Sequence, residues 1–271
     1  MTERDRLSAK EIERHLQTRT IGRKLEIYES LDSTNNRAKT LAAQGAPHGQ
    51  AVLAEEQSRG RGRRGRSFFS PPGTGVYFSC ILRLSDLSDS AGLLTSLAAV
   101  AAARAVEEVS GLDVQIKWVN DLILHGKKLC GILCESGISP DSGRLDWAVV
   151  GIGINVQPVV FPAEISEIAT SIGNETGRSI DRNRLIAALC NHLENLLGEM
   201  ESGAFLAECR RRSCVLGHEV TVLEGEKTYH AFAKDLDDRG RLVIERDGET
   251  VALDYGEVTV RVQKGSAGHG A

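Results

Sequence analysis

The residues with the clearest chemical potential lie in one short segment, residues 57–67, which reads QSRGRGRRGRS. Five arginines and three glycines occur there between residues 59 and 66. An arginine guanidinium is always charged and presents forked donors that suit carboxylates and phosphates. Glycine lets the backbone close over a ligand and adopt positive φ angles. The segment therefore fits three functions: a dinucleotide-binding turn, a nucleic-acid contact, or a phosphate-gripping loop in an enzyme that activates a carboxylate.

The glycine spacing matches a dinucleotide fingerprint, but its surroundings do not. Gly60, Gly62 and Gly65 form the pattern G-x-G-x-x-G. In a dinucleotide-binding fold this turn opens a helix, whose N-terminus holds the pyrophosphate. Here residues 67–72 contain two prolines and show no helical periodicity. We therefore exclude this function.

Nucleic-acid binding by the arginines is also disfavoured. The chain has a formal net charge of −4, so any positive surface must be local. The segment is short and unrepeated, and it lies between two predicted strands rather than in a tail. Only about 24 residues precede the first predicted strand, too few for a helix-turn-helix domain of the usual size. We predict no DNA partner.

A phosphate-gripping loop is the remaining function, with one alternative beside it. A loop rich in glycine and arginine can order around a bound ligand and seal a reactive intermediate from water. A solvated basic loop without any ligand would have the same composition. The segment by itself does not separate these two interpretations.

The rest of the composition excludes several other classes. The seven histidines are scattered, with neither a nucleophile–histidine pair nor metal-ligand spacing. The six cysteines form no C-x-x-C pair, which predicts buried, reduced thiols and a cytoplasmic protein. The charged N-terminus lacks a signal-peptide core, and no apolar run reaches the ~18 residues of a membrane helix. We therefore predict no membrane partner.

A mixed set of helices and strands must position these residues. Helices are predicted by apolar periodicity at residues 8–18, from after residue 35 to about 44, and at 90–109, 181–201 and 204–215. Strands are predicted at residues 24–29, 51–56, 76–84, 114–118, 122–124, 129–135 and 146–156. Asp181 is a predicted N-cap, and residues 125–127 form a predicted hairpin turn.

The pattern changes after His218. Short alternating strands are predicted at residues 219–223, 228–234, 242–245, 250–253 and 258–262. Glycines separate them at close intervals. About 45 residues of this kind indicate a small β-barrel appended to the main domain.

Five motifs occur in an order and spacing that resembles biotin–protein ligases. They are Asp32-Ser33-Thr34-Asn35, Gln57-x-x-Gly60-Arg61-Gly62-Arg63-Arg64-Gly65-Arg66, Lys117-Trp118-Val119-Asn120-Asp121, Lys128-Leu129-x-Gly131-Ile132-Leu133 and Gly151-Ile152-Gly153-Ile154-Asn155. Each motif alone is weak, whereas the ordered set, which covers about residues 24–156, is specific. One position departs from the family: Val119 stands where the family usually has proline, which bears on the local backbone rather than on the chemistry.

The resemblance implies an α+β fold of the class II synthetase-like type. A mixed sheet flanked by helices would form a catalytic domain over residues 1–216. An SH3-like β-barrel would follow over residues 217–264, and residues 265–271 would form a disordered tail. The oligomeric state is left open between a monomer and a homodimer.

The same resemblance implies a two-step reaction that uses biotin, ATP and Mg²⁺. The carboxylate of biotin attacks the α-phosphate of ATP, giving biotinyl-5′-adenylate and pyrophosphate. A lysine of a biotin carboxyl carrier protein domain then attacks the adenylate, forming an amide and releasing AMP. Two alternatives remain: a lipoate–protein ligase or acyltransferase of the same superfamily, and a biotin-responsive DNA-binding repressor.

The resemblance also implies roles for individual residues. The catalytic residues would be Arg63, Lys117 and Lys128, which offset the repulsion between a carboxylate and a triphosphate. The biotin and nucleotide contacts would be Ser33, Thr34, Asn35, Gln57, Gly60, Arg61, Gly62, Arg63, Phe68, Asn120, Asp121, Lys128, Gly131, Gly153 and Asn155. Asp121 would hold the metal, and Arg261 would reach the ATP site.

Ordinary structural roles compete with several of these assignments. Asp32 or Ser33 could merely cap the following helix, since both residue types favour that position. Phe68 could pack in the core, and Lys128 could be a solvated residue after a hairpin turn. Asn155 could simply end a strand.

Overall fold

The helices and strands lie close to the predicted positions. A computed structural model describes residues 6–83, 91–138, 145–254 and 258–262 of the chain. The helices are α1 (Ala9–Glu13), α2 (Thr34–Ala43), α3 (Ala91–Ser110), α4 (Ile172–Thr176), α5 (Arg182–Leu197) and α6 (Phe205–Arg212). The strands are β1 (Leu25–Leu31), β2 (Ala51–Gln57), β3 (Gly75–Leu82), β4 (Gln115–Lys117), β5 (Asp121–Leu124), β6 (Lys127–Ile138), β7 (Leu145–Asn155), β8 (Glu219–Glu224), β9 (Lys227–Leu236), β10 (Leu242–Arg246), β11 (Glu249–Leu253) and β12 (Val258–Val262).

A seven-stranded mixed sheet forms the centre of the main domain, in the order β1-β2-β3-β7-β6-β5-β4. β1 and β2 pair in parallel, and the other neighbours pair antiparallel. Successive side chains of a strand point to opposite faces of the sheet, so each buried strand contributes side chains to the cores on both faces. Ala38 and Ala42 of α2 pack on one face against Ile81 and Val149. The larger core lies on the other face under α3 and α5, which confirms the predicted mixed sheet flanked by helices.

The first helix is shorter than predicted. We expected helix over residues 8–18, but α1 ends at Glu13. Beyond it, the backbone N–H groups of residues 19–21 donate to the carboxylate of Glu194 on α5, at 2.5, 2.8 and 3.0 Å. Glu194 therefore satisfies the backbone donors of this non-helical segment.

Two local predictions are confirmed, and one helix was missed. The Asp181 carboxylate caps α5 by accepting from the N–H groups of Asn183 and Arg184, at 2.9 and 3.1 Å. His125 and Gly126 turn between β5 and β6 with φ angles of 49° and 79°. The short helix α4 was not predicted, because its five residues are too few to show a periodic pattern.

A second, five-stranded antiparallel sheet follows, in the order β11-β10-β9-β8-β12, and confirms the predicted small β domain. The indole N–H of Trp118 in the main domain donates to the carbonyl of Gly240 at 3.1 Å. Arg210 of α6 donates to the Asp235 carboxylate at 2.9 Å. These bonds join a turn and a helix of the main domain to the small β domain. The peptide bond between Trp118 and Val119 is cis, and the Val119 side chain is buried.

Some predictions concern positions that the structure leaves undescribed. The tail predicted at residues 265–271 lies outside the described residues, as does the side chain of Arg261. The division at residue 217 remains our proposal, and the second sheet begins two residues later, at Glu219. In the described part of the chain no helix has both the length and the apolar character needed to cross a membrane. All six cysteines are free thiols.

Candidate active site

The predicted site residues converge on one cavity of about 590 Å³. It lies between the start of α2, the glycine–arginine loop (residues 57–67), the β5–β6 hairpin and the segment that follows β7. The predicted residues that line it are Ser33, Thr34, Asn35, Gln57, Arg61, Gly62, Arg63, Phe68, Lys117, Asn120, Asp121, Lys128, Gly131, Gly153 and Asn155. Gly60 is the predicted contact that does not line it.

The motif at the start of α2 places hydroxyl and amide groups on the cavity wall. Ser33 precedes the helix with an extended backbone and makes no side-chain cap hydrogen bond. Ser79 of β3 hydrogen-bonds with Thr34 Oγ1 at 2.8 Å and donates to Asn35 Oδ1 at 2.6 Å. Asn35 Nδ2 donates in turn to the Leu133 carbonyl at 3.1 Å. Contacts with the sheet therefore orient Thr34 and Asn35. The Ser33 side chain does not cap the helix, which was the alternative role that we considered for it.

Gln57 ends β2 and extends this polar network toward the far end of the loop. Its Oε1 accepts from the N–H and the hydroxyl of Thr34, at 2.9 and 3.1 Å. Its Nε2 donates to Ser70 Oγ at 2.9 Å, and Ser70 Oγ donates to the Phe68 carbonyl at 2.9 Å. These partners assign the two amide atoms, since only the oxygen accepts and only the nitrogen donates. The network thus connects α2 with the chain just after the glycine–arginine loop.

The glycine–arginine loop folds back on itself. The N–H of Gly62 donates to the Arg66 carbonyl at 2.7 Å around a 3-10 turn at Arg63–Gly65. A Cβ atom on Gly60 would lie 2.3 Å from the Phe68 carbonyl oxygen, far inside contact distance. Gly60 is therefore required for the close approach of two chain segments. It shapes the loop without lining the cavity.

The two predicted arginines of the loop have different partners. Arg63 donates to Asn120 Oδ1 at 3.2 Å, in the turn between β4 and β5. Burial lowers the pKa of Arg63, and the negative charge of Asp121 opposes that shift. Arg61 donates to the two carboxylate oxygens of Glu135 at 2.9 and 3.0 Å. Arg63 is thus connected to the β4–β5 turn, whereas Arg61 is connected to β6.

A small charged cluster lies on the β5–β6 side. Lys117 and Asp121 are cross-strand partners, so their side chains share one face of the hairpin. Lys128 Nζ lies 2.6 Å from Asp121 Oδ1. The backbone of Lys128 is held on both sides, since its N–H donates to the Ile168 carbonyl at 2.8 Å and its carbonyl accepts from Thr170 at 2.9 Å. Lys128 is therefore a fixed, paired cation and not a freely solvated residue.

Gly131 and Gly153 make room for side chains as well as for the cavity. They are register partners on β6 and β7. A Cβ on Gly153 would lie 2.7 Å from the Phe68 ring, and one on Gly131 would lie 3.1 Å from the Lys128 side chain. Phe68 also packs edge-to-face on Tyr77, with ring centroids 6.5 Å apart. At Gly153, which we predicted as a ligand contact, the structure places the Phe68 ring close to the backbone.

Asn155 holds the segment that covers the cavity from the β7 side. Its Nδ2 donates to the Thr170 carbonyl at 2.9 Å, and its side chain is buried. The residue thus combines the predicted place in the cavity lining with the structural role that we considered as the alternative.

Two residues that shape the site were missed by sequence analysis. Ser79 is fully buried in the otherwise apolar strand β3, and a polar side chain there needs a partner. That signal was present in the sequence. Glu135 carried no comparable signal, because its role depends on partners from α2 and from the glycine–arginine loop.

The matches to known proteins agree with this geometry. Residues 27–155 match the Biotin/lipoate A/B protein ligase family, and residues 215–261 match the Biotin protein ligase C terminal domain. A Mycobacterium tuberculosis protein named biotin–[acetyl-CoA-carboxylase] ligase is 32% identical over 271 residues, which cover 95% of this chain and 98% of that protein. The chain belongs to the biotin/lipoate A/B protein ligase family.

Other members of this ligase family extend the comparison. The Bacillus subtilis protein named bifunctional ligase/repressor BirA is 37% identical over 247 residues, which cover 89% of this chain and 75% of that protein. The structure of the biotin protein ligase from Aquifex aeolicus in complex with biotin and ATP has a TM-score of 0.76 and 28% identity, covering 89% of this chain and all of that one. The resemblance to biotin–protein ligases is confirmed, and the protein is a ligase.

Proposed function

We propose that the protein biotinylates one lysine of a biotin carboxyl carrier protein domain, using ATP and passing through biotinyl-5′-adenylate. The cavity carries this proposal, because neutral polar groups and a set of cations meet in it. Hydroxyl and amide groups suit the uncharged polar ring of biotin. Cationic side chains suit a carboxylate that must approach a triphosphate. Membership of the ligase family supports the same activity.

The biotin half of the site is assigned to the network at the start of α2. In this proposal Ser33, Thr34, Asn35 and Gln57 contact the polar ring, since all four line the cavity and hydrogen bonds orient the last three. Phe68 supplies an apolar wall. The remaining contacts that we propose, around the ring and the nucleotide, are Arg61, Gly62, Asn120, Gly131, Gly153 and Asn155.

In the first step a carboxylate oxygen of biotin bonds to the α-phosphorus of ATP, and the bond to the bridging oxygen of pyrophosphate breaks. Lys128, Lys117 and Arg63 offset the negative charge that accumulates at this stage. The cations are held before the reaction, Lys128 by Asp121 and Arg63 by Asn120. Preorganised charge of this kind needs little rearrangement during the reaction.

The residues present fit a magnesium ion that arrives with the nucleotide. Among the described residues, no group of three or more His, Cys, Asp or Glu side chains could hold a metal by itself. Asp121 is the one carboxylate among the described residues of the cavity lining. Magnesium is commonly held by one or two carboxylates together with substrate phosphates, which agrees with this set. When bound, the ion supplies further charge neutralisation, and Asp121 would hold it.

In the second step a lysine amine of the carrier domain attacks the acyl carbonyl, the amide forms, and AMP leaves with the bonding pair. No residue of the ligase forms a covalent intermediate in this proposal. The chain instead aligns the two reactants and keeps water from the mixed anhydride. We assign the second task to the glycine–arginine loop, with Arg63 holding the adenylate.

The alternative within the family is a lipoate–protein ligase or acyltransferase. The match of the chain's C-terminal part to the Biotin protein ligase C terminal domain favours biotin. The test is incubation with ATP, Mg²⁺ and an acceptor domain, with either biotin or lipoate added, followed by intact-mass measurement. A mass gain with biotin is expected. A gain with lipoate only, or no gain with either, would overturn the proposal.

The remaining expectations concern partners and location. We propose a cytoplasmic enzyme that uses neither DNA nor a membrane as a partner; its free cysteines support the first part. The absence of DNA binding needs its own test, because some relatives are named bifunctional ligase/repressor. Sequence-specific retention of DNA at low salt would refute it. Sedimentation with and without biotin and ATP would decide between monomer and homodimer.

A further inference from the structure

Glu135 collects three hydrogen-bond donors at a junction just outside the cavity lining. Its Oε1 accepts from Lys39 Nζ at 2.8 Å, and its Oε2 accepts from Asn35 Nδ2 at 3.1 Å. Arg61 Nη1 lies 3.0 and 2.9 Å from the two oxygens. The carboxylate side chain is only 19% exposed. It is therefore well satisfied and held from several directions.

The three donors belong to two elements that Glu135 connects with a third. Asn35 and Lys39 lie four residues apart on α2, which places them on one face of that helix. Arg61 belongs to the glycine–arginine loop, and Glu135 belongs to β6. Arg61 Nη1 also donates to Asn36 Oδ1 at 2.9 Å, again on α2. The side chain of Arg61 thus fastens one end of the loop to the helix and to the sheet.

The charge balance at this junction depends on the carboxylate. Burial raises the pKa of Glu135, but hydrogen bonds from Lys39 and Asn35 and the charges of Lys39 and Arg61 outweigh it, so the pKa falls below its ordinary value. Glu135 is therefore ionised at neutral pH. Without its charge, the cations of Lys39 and Arg61 would lose the anion that they share, and the attachment of the loop to α2 and β6 would weaken.

We propose that Glu135 is a positioning residue. Its ion pair with Arg61, which we call the latch, holds the glycine–arginine loop over the cavity. This inference rests on the proposed function, because the loop is the element that retains the adenylate. Arg63 follows Arg61 by two residues and reaches Asn120 in the β4–β5 turn. Because Arg61 is fixed to α2 and β6, Arg63 is placed where it can close the cavity on the side of the β4–β5 turn. Glu135→Gln would free the loop without removing any residue that lines the cavity.

The test measures retention of the adenylate separately from its synthesis. Enzyme is loaded with labelled biotin, ATP and Mg²⁺, and the complex is isolated. Release of labelled adenylate is then followed after addition of excess unlabelled biotin. Glu135→Gln should raise the release rate about tenfold, since it removes a charge-assisted bond while keeping the side-chain shape. Single-turnover pyrophosphate formation should stay within about threefold, because no cation of the cavity is lost.

A double-mutant cycle shows whether Glu135 acts through Arg61. Arg61→Gln should raise the release rate at least as much as Glu135→Gln, because Arg61 also lines the cavity, and the double variant should release no faster than Arg61→Gln alone. Lys39→Gln is the matched control, because it removes the other cation from the same carboxylate and leaves the Arg61 pair intact. Its release rate should stay within about twofold of the wild type. Arg61 is more exposed than Glu135, so its variant preserves the test if Glu135→Gln fails to fold.

The outcomes separate the latch from the proposed function. Normal adenylate synthesis with unchanged release in both Glu135→Gln and Arg61→Gln would overturn the latch and leave the ligase activity standing. Additive effects in the double variant would also overturn it, since Glu135 would then act independently of Arg61. If the wild type forms no adenylate from biotin and ATP, the proposed function itself fails.

Discussion

At the scale of single residues, the site is built from groups that already have partners. Lys128 is paired with Asp121, and Arg63 is bonded to Asn120. Ligand binding therefore either adds an acceptor beside these partners or exchanges one of them, since lysine and arginine have more than one N–H donor. The exchange costs little if each cation keeps an acceptor throughout, because an unpaired charge in a half-buried site is unfavourable. We expect substitutions here to affect retention of the intermediate more than folding.

Arg63→Gly is the most direct test at this scale. Losing a charged donor and gaining loop freedom should speed release of the adenylate by about 10- to 100-fold. The released acyl-adenylate would then label lysines of unrelated proteins, which can be measured by streptavidin blotting of added bovine serum albumin. Arg59→Ala, an exposed arginine in the same loop, is the control and should give no such labelling. Unchanged retention in Arg63→Gly would refute the role assigned to that residue.

Gly153→Ala tests the packing of the Phe68 ring. The added Cβ would lie 2.7 Å from the ring, so the ring must move and the biotin wall with it. We expect a loss of stability of about 1–3 kcal/mol and weaker biotin binding, measured by thermal melting and calorimetry. Phe68→Leu in the same chain should recover part of the stability. Gly198→Ala, where the nearest contact of the added Cβ is 3.3 Å, should cost clearly less stability and leave biotin binding unchanged; equal effects at both glycines would contradict this prediction.

At the scale of elements, local patterns predicted those helices and strands that carry their own signals. Helix α5 was predicted from its periodicity and Asp181, and β7 from its apolar run. The five motifs placed the site because each lies at the end of such an element. What sequence could not show are contacts between distant segments. The position of residues 19–21 depends on Glu194, and the orientation of Arg61 depends on Glu135. Neither partner is visible in local periodicity.

The contact of Glu194 with residues 19–21 gives a pH-dependent prediction. Burial raises the pKa of Glu194, but hydrogen bonds from the backbone and Thr20 outweigh it and lower the pKa to about 2 from an ordinary 4.5. A lowered folded-state pKa stabilises the fold above the ordinary value, and this contribution is lost as pH falls toward 2. Glu194→Gln should therefore destabilise the protein at pH 7, and the difference from wild type should shrink below about pH 4.5.

Urea unfolding at several pH values would measure this difference. Glu201→Gln, at an exposed position, removes the same formal charge and should show no such dependence. A Glu194→Gln effect that stays constant from pH 7 to about pH 3 would show that the carboxylate charge is not what holds residues 19–21.

At the scale of the whole molecule, a buried ion pair joins segments from both ends of the main domain. Arg182, the first residue of α5, is fully buried and lies 2.8 Å from the carboxylate of Glu55 on β2. Glu55 also accepts from the N–H of Leu7 at 2.8 Å, and Arg182 donates to the Gly75 carbonyl at 3.2 Å. One pair thus ties together the N-terminal segment, two strands and a helix.

Breaking the ion pair between Arg182 and Glu55 should lower the free energy of unfolding more than breaking an exposed ion pair does. Arg182→Met leaves a buried carboxylate without its cation, and we expect a loss of about 3–5 kcal/mol in the free energy of unfolding. The double variant with Glu55→Gln should recover a large part of that loss. Lys234→Met breaks an exposed ion pair with Glu245 and should cost less than about 1 kcal/mol. Similar losses for Arg182→Met and Lys234→Met in urea titrations would disprove the argument.

The hydrogen bond between Trp118 and Gly240 couples the small β domain to the free energy of ligand binding in the cavity. The indole lines the cavity on one side, and its N–H is held by the small domain on the other. Coupling free energies are reciprocal. A ligand that stabilises one position of the indole therefore also stabilises, by the same free energy, the turn whose carbonyl accepts the indole N–H. A ligand in the cavity should therefore slow amide hydrogen exchange around Gly240, because the hydrogen bond from the indole N–H links the cavity to that turn.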